Sequence, residues 1–354
     1  MDSSKRDTVL EALAKELQNT EGTAIWLADE QAPSQLLERA LMVRQATYVS
    51  NRIDQVEFMQ HKGVVAEFHD FVLRPPVKRF DHLFVRVPKQ RALVHHFLNL
   101  ASDILNPGGC LWIAGQKNEG IKTHINRAET RLGAKAKKIK SAAAVGLYRI
   151  TPQSAGPSLD DEKYSELRQV EMSPGIVFWS KPGVYGWNKI DQGSQALVKV
   201  MQGLFSDLSG MRVLDLGCGY GFLASEALRL GPDSVVASDN HAGALLAAAK
   251  NLPIKEGKAQ VIAADCGSAI KHDFDLILCN PPFHKGFSTT SLLHQKFLMA
   301  IVSLLDKDGR ALVVLNSFLK IDRLCQEVGL SILKTWHFDE ENFTVFEIAK
   351  GDST

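Results

Sequence analysis

Four clusters of polar or glycine residues in the second half of the chain follow short apolar runs, and together they could hold a nucleoside. The runs lie at 212–216, 234–237, 259–263 and 276–279 and are typical of buried parallel strands. The clusters are Gly217-Cys218-Gly219-Tyr220-Gly221, Ser238-Asp239-Asn240, Ala264-Asp265-Cys266 and Asn280-Pro281-Pro282-Phe283. Because an open α/β sheet binds ligands at the carboxyl ends of its strands, we expect the four clusters to lie together.

The first cluster predicts a glycine-rich turn between a strand and a helix over 222–230. Gly217, Gly219 and Gly221 allow a sharp turn and a close approach of the backbone to a ligand. Free N–H groups at the helix start favour a carboxylate or another anionic group. The Gly-x-Gly-x-Gly spacing differs from the dinucleotide Gly-x-Gly-x-x-Gly, because Phe222 stands at the third glycine position. Taken alone, the turn also fits a simple connection between a strand and a helix.

Acids at the ends of the next two strands favour a nucleoside site over a simple connection. Asp239 is placed to accept hydrogen bonds from ribose hydroxyls, and Asp265 could meet an adenine edge or its amine. Either acid alone could be a solvated turn residue. In register with the glycine turn, the two acids together predict a nucleoside site.

The fourth cluster carries the predicted chemistry. Two prolines cannot continue a strand ladder, so Asn280-Pro281-Pro282-Phe283 predicts a rigid turn that presents the Asn280 oxygen and nearby backbone carbonyls as acceptors. An exocyclic amine on a base is a poor nucleophile because its lone pair is delocalised into the ring. Two acceptors that hold its N–H groups would orient the lone pair toward an electrophile and stabilise positive charge on nitrogen. Phe283 could stack on the base.

These motifs resemble the class I S-adenosylmethionine-dependent methyltransferases that modify exocyclic amines or amides. The chain is similar above all to the small-subunit ribosomal RNA guanine-N2 methyltransferase family, on about half its length and more loosely on the N-terminal half. The shared segments are Lys181-Pro182-Gly183-Val184-Tyr185, Asp191-Gln192-Gly193-Ser194-Gln195 and Asn280-Pro281-Pro282-Phe283-His284. The family usually has Phe and Ser where this chain has Tyr185 and Gly186.

The resemblance implies methyl transfer from S-adenosylmethionine to the N2 amine of an unpaired guanine in ribosomal RNA, most closely the small-subunit (16S) RNA. It implies a catalytic turn made of Asn280, Pro281, Pro282 and Phe283. The implied cofactor-binding residues are Asp215, Gly217, Cys218, Gly219, Gly221, Asp239, Asn240, Asp265, Cys266 and Asn280. The implied substrate contacts are Tyr185, Asp191 and His284. We do not assign His284 as a general base, because a methylated guanine amine loses its proton readily to solvent.

Several other functions remain open from the sequence. The large-subunit (23S) guanine-N2 enzymes share the same plan, and the same Asn-Pro-Pro chemistry serves adenine N6 in DNA and glutamine side chains in proteins. An RNA-binding ribosome assembly factor could keep the fold without turnover. A nicotinamide-dependent dehydrogenase is disfavoured by the glycine spacing and by the Asn-Pro-Pro-Phe turn.

The elements that must position these residues occur twice along the chain. The segment 80–89 aligns with 274–283, and in each half a helix (93–104 and 292–305), a turn and a strand follow. Arg86 stands where Asn280 does, and residues 28–32 contain no glycine. We therefore predict an α/β fold of two tandem Rossmann-like methyltransferase domains with a degenerate N-terminal copy. Two unrelated α/β units are the alternative.

The predicted domains are 1–150, a degenerate copy that binds RNA or supports folding, and 166–354, the catalytic copy. Residues 151–165 contain prolines, glycine and serines and predict an exposed linker. Lys135, Lys137 and Lys138 lie in the densest positive stretch of the chain, which could contact RNA phosphates or form a solvated face. The overall net charge of +1 gives no global attraction to nucleic acid.

Composition limits the remaining possibilities. A hydrophobic content of 45% is ordinary for a globular protein with a sizeable core. The five cysteines have no paired spacing, so we expect reduced thiols and neither a disulfide framework nor a zinc site. No apolar run approaches membrane length, and the first residues lack a signal core. We expect a cytoplasmic monomer without a metal.

Overall fold

The chain folds into two compact units, Met1–Glu166 and Leu167–Thr354, each built on a seven-stranded sheet. The computed structural model describes residues 7–30, 38, 41, 46–72, 79–142, 144–282, 287–319, 321–340 and 342–351. Phe283 and His284, predicted from the sequence as site residues, lie outside the described residues. Residues 35–41, which the sequence also predicts to be helical, lie mostly outside them as well. Among the helices that are described, none is long and apolar enough to cross a bilayer. The predicted α/β fold with two tandem domains is confirmed.

The first unit alternates strands and helices. The helices that the structure describes in full there are α1 (Thr8–Asn19), α2 (Ile53–His61), α3 (Arg91–Ile104) and α4 (Ile121–Leu132). Its strands are β1 (Ala24–Ala28), β2 (Thr47–Ser50), β3 (Ala66–Phe68), β4 (Phe80–Arg86), β5 (Leu105–Gln116), β6 (Lys137–Ile139) and β7 (Val145–Ile150).

The second unit begins with a hairpin, β8 (Arg168–Ser173) and β9 (Ile176–Ser180), and continues with the same alternation. Its helices are α5 (Gln192–Leu204), α6 (Phe222–Leu228), α7 (Ala242–Asn251), α8 (Phe287–Leu304) and α9 (Asp322–Val328). Its sheet strands are β10 (Arg212–Leu216), β11 (Ser234–Asp239), β12 (Ala259–Ala263), β13 (Phe274–Cys279), β14 (Leu305–Asn316), β15 (Leu330–Phe338) and β16 (Phe343–Lys350).

The two sheets have the same strand order. It is β3-β2-β1-β4-β5-β7-β6 in the first unit and β12-β11-β10-β13-β14-β16-β15 in the second. The first four pairings in each order are parallel and the last two are antiparallel, so only β7 and β16 run against the other strands of their sheets. Both sheets also show a register shift between the fourth and fifth strands, at Phe80/His82 and at Phe274/Leu276. The shared irregularity supports the predicted duplication over chance convergence.

Helix starts follow from local capping. The Asp7 side chain accepts hydrogen bonds from two backbone N–H groups at the start of α1, and Asp191 does the same for one at the start of α5. Each helix then buries residues at helical spacing, Leu10, Leu13 and Leu17 in α1 among them. Capping and burial together fix where these helices begin and which face packs on the sheet.

Residues 151–165, predicted as an exposed linker, pack on the first unit. The side chain of Tyr164 is fully buried, and its hydroxyl donates to Asp70 Oδ1 at 3.1 Å. Asn99 Nδ2 donates to the backbone oxygen of Leu159, and the Leu159 N–H donates back to Asn99 Oδ1. Through these contacts the segment belongs to the first unit. Its proline- and serine-rich composition is typical of linkers and did not indicate the buried tyrosine.

We predict that Tyr164→Ala destabilises the first unit by about 3 kcal/mol or more, because it removes a buried aromatic side chain and its hydrogen bond. Glu162→Ala is the matched control, since Glu162 pairs with Arg91 at an exposed site and such pairs contribute about 1 kcal/mol or less. Urea unfolding of the full chain measures both variants. Equal effects would contradict the anchoring role of Tyr164.

Candidate functional site

The glycine turn and the Asn-Pro-Pro turn lie side by side at the carboxyl edge of the second sheet. β10 has β11 on one side and β13 on the other, so the strand order reverses at β10. Leu216 at the end of β10 pairs with Cys279 at the end of β13. Gly217 and Asn280 are the residues directly after these two strands. They therefore lie on either side of the crevice where open α/β sheets bind ligands.

The glycine turn has the backbone that its sequence predicted. Gly217, Gly219 and Gly221 all have positive φ, at 83°, 55° and 88°. The N–H groups of Gly217 and Cys218 donate to the Ser238 oxygen, which fastens the turn to the end of β11. A Cβ added to Gly219 would meet no atom within 4 Å, so the backbone is open on that side. This turn can therefore bring peptide groups against a ligand.

The two predicted acids end neighbouring strands as expected. Asp239 accepts the Gly219 N–H through Oδ2 at 2.9 Å and the His241 N–H through Oδ1 at 2.8 Å, which leaves lone pairs on both oxygens. Asp265 Oδ1 accepts from Asn240 Nδ2 at 3.3 Å, and its other oxygen pairs with Lys296. The contacts with Gly219 and Asn240 tie the glycine turn and the ends of β11 and β12 into one acidic rim.

Asp215 lies beneath the glycine turn and is fully buried. Its Oδ2 accepts the Ala224 N–H at 2.9 Å, while its Oδ1 has no hydrogen-bond partner among the described residues. Burial raises the pKa of Asp215 to about 7. A buried carboxyl oxygen without a partner suits a polar or cationic group of a ligand held by the turn.

Asn280 is held by a hydrogen-bond network that fixes its amide. Its Nδ2 donates to Asp191 Oδ2 at 2.7 Å and to Ser194 Oγ at 2.8 Å. The Asp191 carboxylate also accepts the Ser194 N–H and the Tyr185 hydroxyl. Both amide protons are therefore used, and the Asn280 Oδ1 remains the acceptor that the turn offers to a substrate. Pro281 lines one small cavity together with Phe297 and Ile301 of α8, so this helix lies beside the turn.

The segment that carries Tyr185 and Asp191 is anchored by the hairpin before it. Asn251 of α7 accepts the Trp179 N–H and donates to the backbone oxygens of Trp179 and Tyr220. One side chain thus joins β9, α7 and the glycine turn. After β9 the chain buries Lys181 and then turns outward, so the Tyr185 ring is 65% exposed beside Asp191.

The first unit repeats this frame with other residues at the same places. Strand register equates Arg86 with Asn280, Trp26 with Asp215 and Ser50 with Asp239. The Arg86 guanidinium is buried and pairs with Glu119 at 2.7 Å and with Asp7 at 3.2 Å. Here an ion-paired arginine replaces the acceptor amide, so this unit lacks the predicted amine site.

A stack of aromatic rings fills the place beneath the first turn of the N-terminal unit. Trp26 stacks on Phe84 with ring centroids 5.6 Å apart, and Phe84 stacks on Trp112 at 5.8 Å. In the second unit the same level holds Asp215, whose carboxyl oxygen has no partner among the described residues. The two units thus share strands and differ in the side chains that would meet a ligand.

The structure brings together the described residues of the predicted cofactor set and of the catalytic turn, with Tyr185 and Asp191 beside them. It adds two residues that the motifs did not assign to the site. Ser194 binds the Asn280 amide, and its place three residues after a capping Asp191 could have indicated this. Lys296 pairs with Asp265 from α8, and no sequence signal pointed to that pair.

The predicted RNA-contacting lysines lie in the other unit. Lys137 and Lys138 are exposed on β6, the edge strand of the first sheet, and Lys135 is exposed just before it. Lys135 pairs with Glu129 at 2.9 Å. Charged residues on an edge strand also discourage pairing with other chains, so a structural role remains beside the RNA-binding one.

Comparison with known proteins places the chain in a family. Residues 175–345 match the Methyltransferase small domain, and residues 11–166 match the Methyltransferase small domain N-terminal family. The chain is 32% identical over 254 residues to the ribosomal RNA small subunit methyltransferase C of Pseudomonas putida (strain W619), covering 71% of this chain and 74% of that protein. The chain belongs to the ribosomal RNA small subunit methyltransferase C family.

Two further comparisons agree with membership of the ribosomal RNA small subunit methyltransferase C family. The protein of that name from Stutzerimonas stutzeri (strain A1501) is 31% identical over 286 residues, which cover 79% of this chain and 82% of the relative. The T. thermophilus 16S rRNA N2 G1207 methyltransferase, solved with AdoMet and guanosine, has a TM-score of 0.81 at 24% identity. The alignment covers 99% of this chain and 93% of that one, so the two proteins share the two-unit fold.

S-adenosylmethionine, the cofactor of the ribosomal RNA small subunit methyltransferase C family, fits the residues at this edge. The open face at Gly219 leaves room for it, and the buried Asp215 oxygen has no partner among the described residues. Asp239 ends β11 at the position from which acids in nucleotide-binding α/β sheets contact ribose hydroxyls. All these groups lie in the second unit, which is the half matched by the Methyltransferase small domain.

Burial of Asp215 predicts a pH dependence of stability in the cofactor-free protein. The folded state holds this proton up to about pH 7, whereas the unfolded chain releases it near its ordinary pKa of about 3.9. The stability from the protonated group is therefore complete below about pH 4 and is lost as pH rises through 7. Asp215→Asn should remove this loss and gain about 1–3 kcal/mol relative to the unsubstituted protein between pH 5 and pH 8.

Urea unfolding at pH 5 and pH 8 measures this difference. Asp273→Asn, which removes an exposed carboxylate from the same unit, is the control and should change the two stabilities equally. An equal change in stability between pH 5 and pH 8 in the unsubstituted protein and in Asp215→Asn would contradict a raised pKa of Asp215 in the folded state.

Proposed function

We propose that this protein transfers a methyl group from S-adenosylmethionine to the exocyclic N2 amine of a guanine in small-subunit ribosomal RNA. The observation that carries the proposal is the Asn280 amide, whose two N–H protons are engaged by Asp191 and Ser194. Its oxygen has no hydrogen-bond partner among the described residues and can accept from a substrate. This acceptor stands next to the glycine turn at the switch point of the sheet. The names of the relatives, ribosomal RNA small subunit methyltransferase C, support the same acceptor class.

The chain's own residues orient the amine and stabilise charge. Asn280 Oδ1 and the Pro281 carbonyl accept the two amine N–H bonds, which turns the nitrogen lone pair toward the methyl group. As positive charge develops on nitrogen, these two acceptors stabilise it. Bound S-adenosylmethionine supplies the electrophilic methyl group, carried on a sulfonium sulfur. The surplus proton leaves to solvent.

Different residues of the rim would bind different parts of the cofactor. Gly217, Gly219 and Gly221 accommodate the methionine part, Asp239 takes the ribose hydroxyls and Asp265 meets the adenine. Asn240 supports Asp265 through its hydrogen bond at 3.3 Å. Cys218 and Cys266 complete the turns that carry these residues.

The substrate guanine must be unpaired or flipped out of a helix, because a duplex hides its N2 amine. The exposed ring of Tyr185 next to the Asn280 network offers a surface for an unstacked base. We propose ribosomal RNA in the cytoplasm as the setting, with the first unit contributing RNA contacts through the exposed Lys135, Lys137 and Lys138.

Incubation with labelled S-adenosylmethionine and separate RNA, DNA and protein fractions tests the proposed function. We expect the label in small-subunit ribosomal RNA and its release as N2-methylguanosine on digestion to nucleosides. Label confined to large-subunit RNA, to adenine in DNA or to protein would replace the guanine proposal with the corresponding alternative. An absence of transfer to every fraction would favour a non-catalytic assembly factor.

Asn280→Ala should lower methyl transfer by roughly 100-fold or more, because it removes an acceptor that acts on developing charge. The dissociation constant of S-adenosylmethionine should change by less than about tenfold, since the rim residues on the other strands remain. Steady-state kinetics and calorimetric titration measure the two effects. Asn188→Ala, an exposed asparagine of the same unit, is the control, and equal rates in the two variants would contradict the role of Asn280.

The combined variant Lys135→Ala, Lys137→Ala, Lys138→Ala should weaken RNA binding and flatten its salt dependence. Each phosphate contact on a single strand contributes about 0.7 to the slope of log affinity against log salt, so up to about two units of slope should disappear. Filter binding at several salt concentrations measures the slope.

The control replaces three exposed lysines of the second unit, Lys255, Lys258 and Lys271, with alanine. It changes the net charge equally and should leave the slope near that of the unsubstituted protein. Equal slopes in the two triple variants would assign the effect to net charge and remove the first unit's lysines from the RNA interface.

A further inference from the structure

We propose that Asp191 is a positioning residue, which acts on methyl transfer through Asn280 by deciding which end of the Asn280 amide faces the substrate. The inference rests on the proposed function and differs from the role that the family resemblance implied, a direct contact between Asp191 and the substrate. The structure places Asp191 2.7 Å from the amide nitrogen of Asn280.

An asparagine side chain can present either its oxygen or its NH₂ group in the same space, and only the oxygen can accept an amine N–H. A carboxylate is an acceptor only, so Asp191 tolerates the amide nitrogen and repels the amide oxygen. Rotating the Asn280 amide by half a turn would set two acceptors against each other at Asp191 Oδ2. Loss of this charge-assisted hydrogen bond strongly disfavours the reversed amide.

Ser194 cannot make this choice, although it also touches the amide. Its hydroxyl accepts from Asn280 Nδ2 at 2.8 Å, yet a hydroxyl is both donor and acceptor and could donate to the oxygen of a reversed amide. Asp191 therefore selects the orientation of the Asn280 amide, while the Ser194 hydroxyl can hydrogen-bond to either the NH₂ group or the oxygen of that amide.

The carboxylate is itself held in place by the backbone and by a neighbouring ring. Asp191 Oδ2 accepts the Ser194 N–H at 2.9 Å as the N-cap of α5, and Oδ1 accepts the Tyr185 hydroxyl at 3.1 Å. Partial burial, with Asp191 beside it, raises the pKa of Tyr185 to about 12, so this hydroxyl keeps its proton. A carboxylate held from both sides gives the Asn280 amide one defined partner.

The same contact strengthens the acceptor. An amide that donates to an anion carries more negative charge on its oxygen, because hydrogen bonds in a chain polarise one another. The Asn280 oxygen would thus stabilise the developing positive charge on the amine better than a free amide could. The effect belongs to the transition state, so it should appear in kcat and leave substrate binding nearly unchanged.

Asp191→Asn separates this role from helix capping, because asparagine is also a good N-cap. The substituted amide can reverse and so accepts either orientation of Asn280. We expect kcat to fall by roughly 10–100-fold, with KM for RNA and for S-adenosylmethionine within about threefold and an unchanged unfolding midpoint. Ser194→Ala should lower kcat less than Asp191→Asn does.

A double-mutant cycle with Asn280→Ala gives the decisive measurement. If Asp191 acts through Asn280, adding Asp191→Asn to Asn280→Ala should change the residual rate by less than about threefold, so the two effects are far from additive. Asp233→Asn is the matched control. Asp233 also accepts a backbone N–H, from Gly210, but at the opposite edge of the sheet, so this change should leave kcat unaltered.

Three results would overturn the positioning role. They are an unchanged kcat in Asp191→Asn, a raised KM for RNA at constant kcat, and an equal loss of rate with and without Asn280. Failure of the proposed function is seen separately, in the unsubstituted protein. If the unsubstituted protein methylates the adenine N6 amine in DNA or a glutamine amide in protein, the double-mutant cycle measured on that acceptor still decides the role of Asp191.

Discussion

The carboxyl ends of parallel strands lie at one edge of a sheet, and every feature of the site depends on this constraint. The glycine turn, the two acids and the asparagine are spread over more than sixty residues of sequence, from Gly217 to Asn280. Pairing of β10 with β11 and β13 places them around one crevice. A crevice forms at the carboxyl edge where the strand order reverses. The short polar turns that line this crevice present hydrogen-bond acceptors and N–H groups to a ligand.

The first unit shows that this frame alone does not make the site. It has the same strand order and the same register shift, yet Arg86 stands in the place of Asn280 and is neutralised by Asp7 and Glu119. Buried charge of this kind is stable only when it is paired, so the two acids stabilise the arginine that replaces the amide. Packed aromatic rings occupy the level where the second unit keeps a buried carboxyl group. One fold thus carries an acceptor amide and a buried carboxyl group in one copy, and an ion-paired arginine and stacked aromatic rings in the other.

Much of the architecture could be predicted because apolar runs and strand-end residues repeat in a fixed order. The strands at 212–216 and 259–263 and the alignment of Arg86 with Asn280 follow from that pattern. The helix α2 and the strands β6 and β7 were missed, because short or charged segments carry a weak periodic signal. The packing of Tyr164 on Asp70 was hidden by a composition typical of linkers, since composition is local and burial depends on the whole fold.

The sequence predicted most of the residues that form the candidate site, but it did not predict which of their side chains contact each other. The motif at 280–283 indicated an amide oxygen for the substrate, but no sequence pattern could say what holds the amide. That answer came from Asp191, which caps a helix almost ninety residues earlier in the chain. Contacts across such separations depend on how the hairpin β8–β9 docks beside α7, and a single sequence does not specify that docking.

Among the described residues, the side chains that fit a cofactor site all lie in the second unit. Calorimetric titration of the full chain with S-adenosylmethionine tests it most directly. We expect one molecule bound per chain. Binding should be lost in Asp239→Ser, which gives the second unit the residue that Ser50 provides in the first. Two molecules per chain, or one that stays bound after Asp239→Ser, would contradict it.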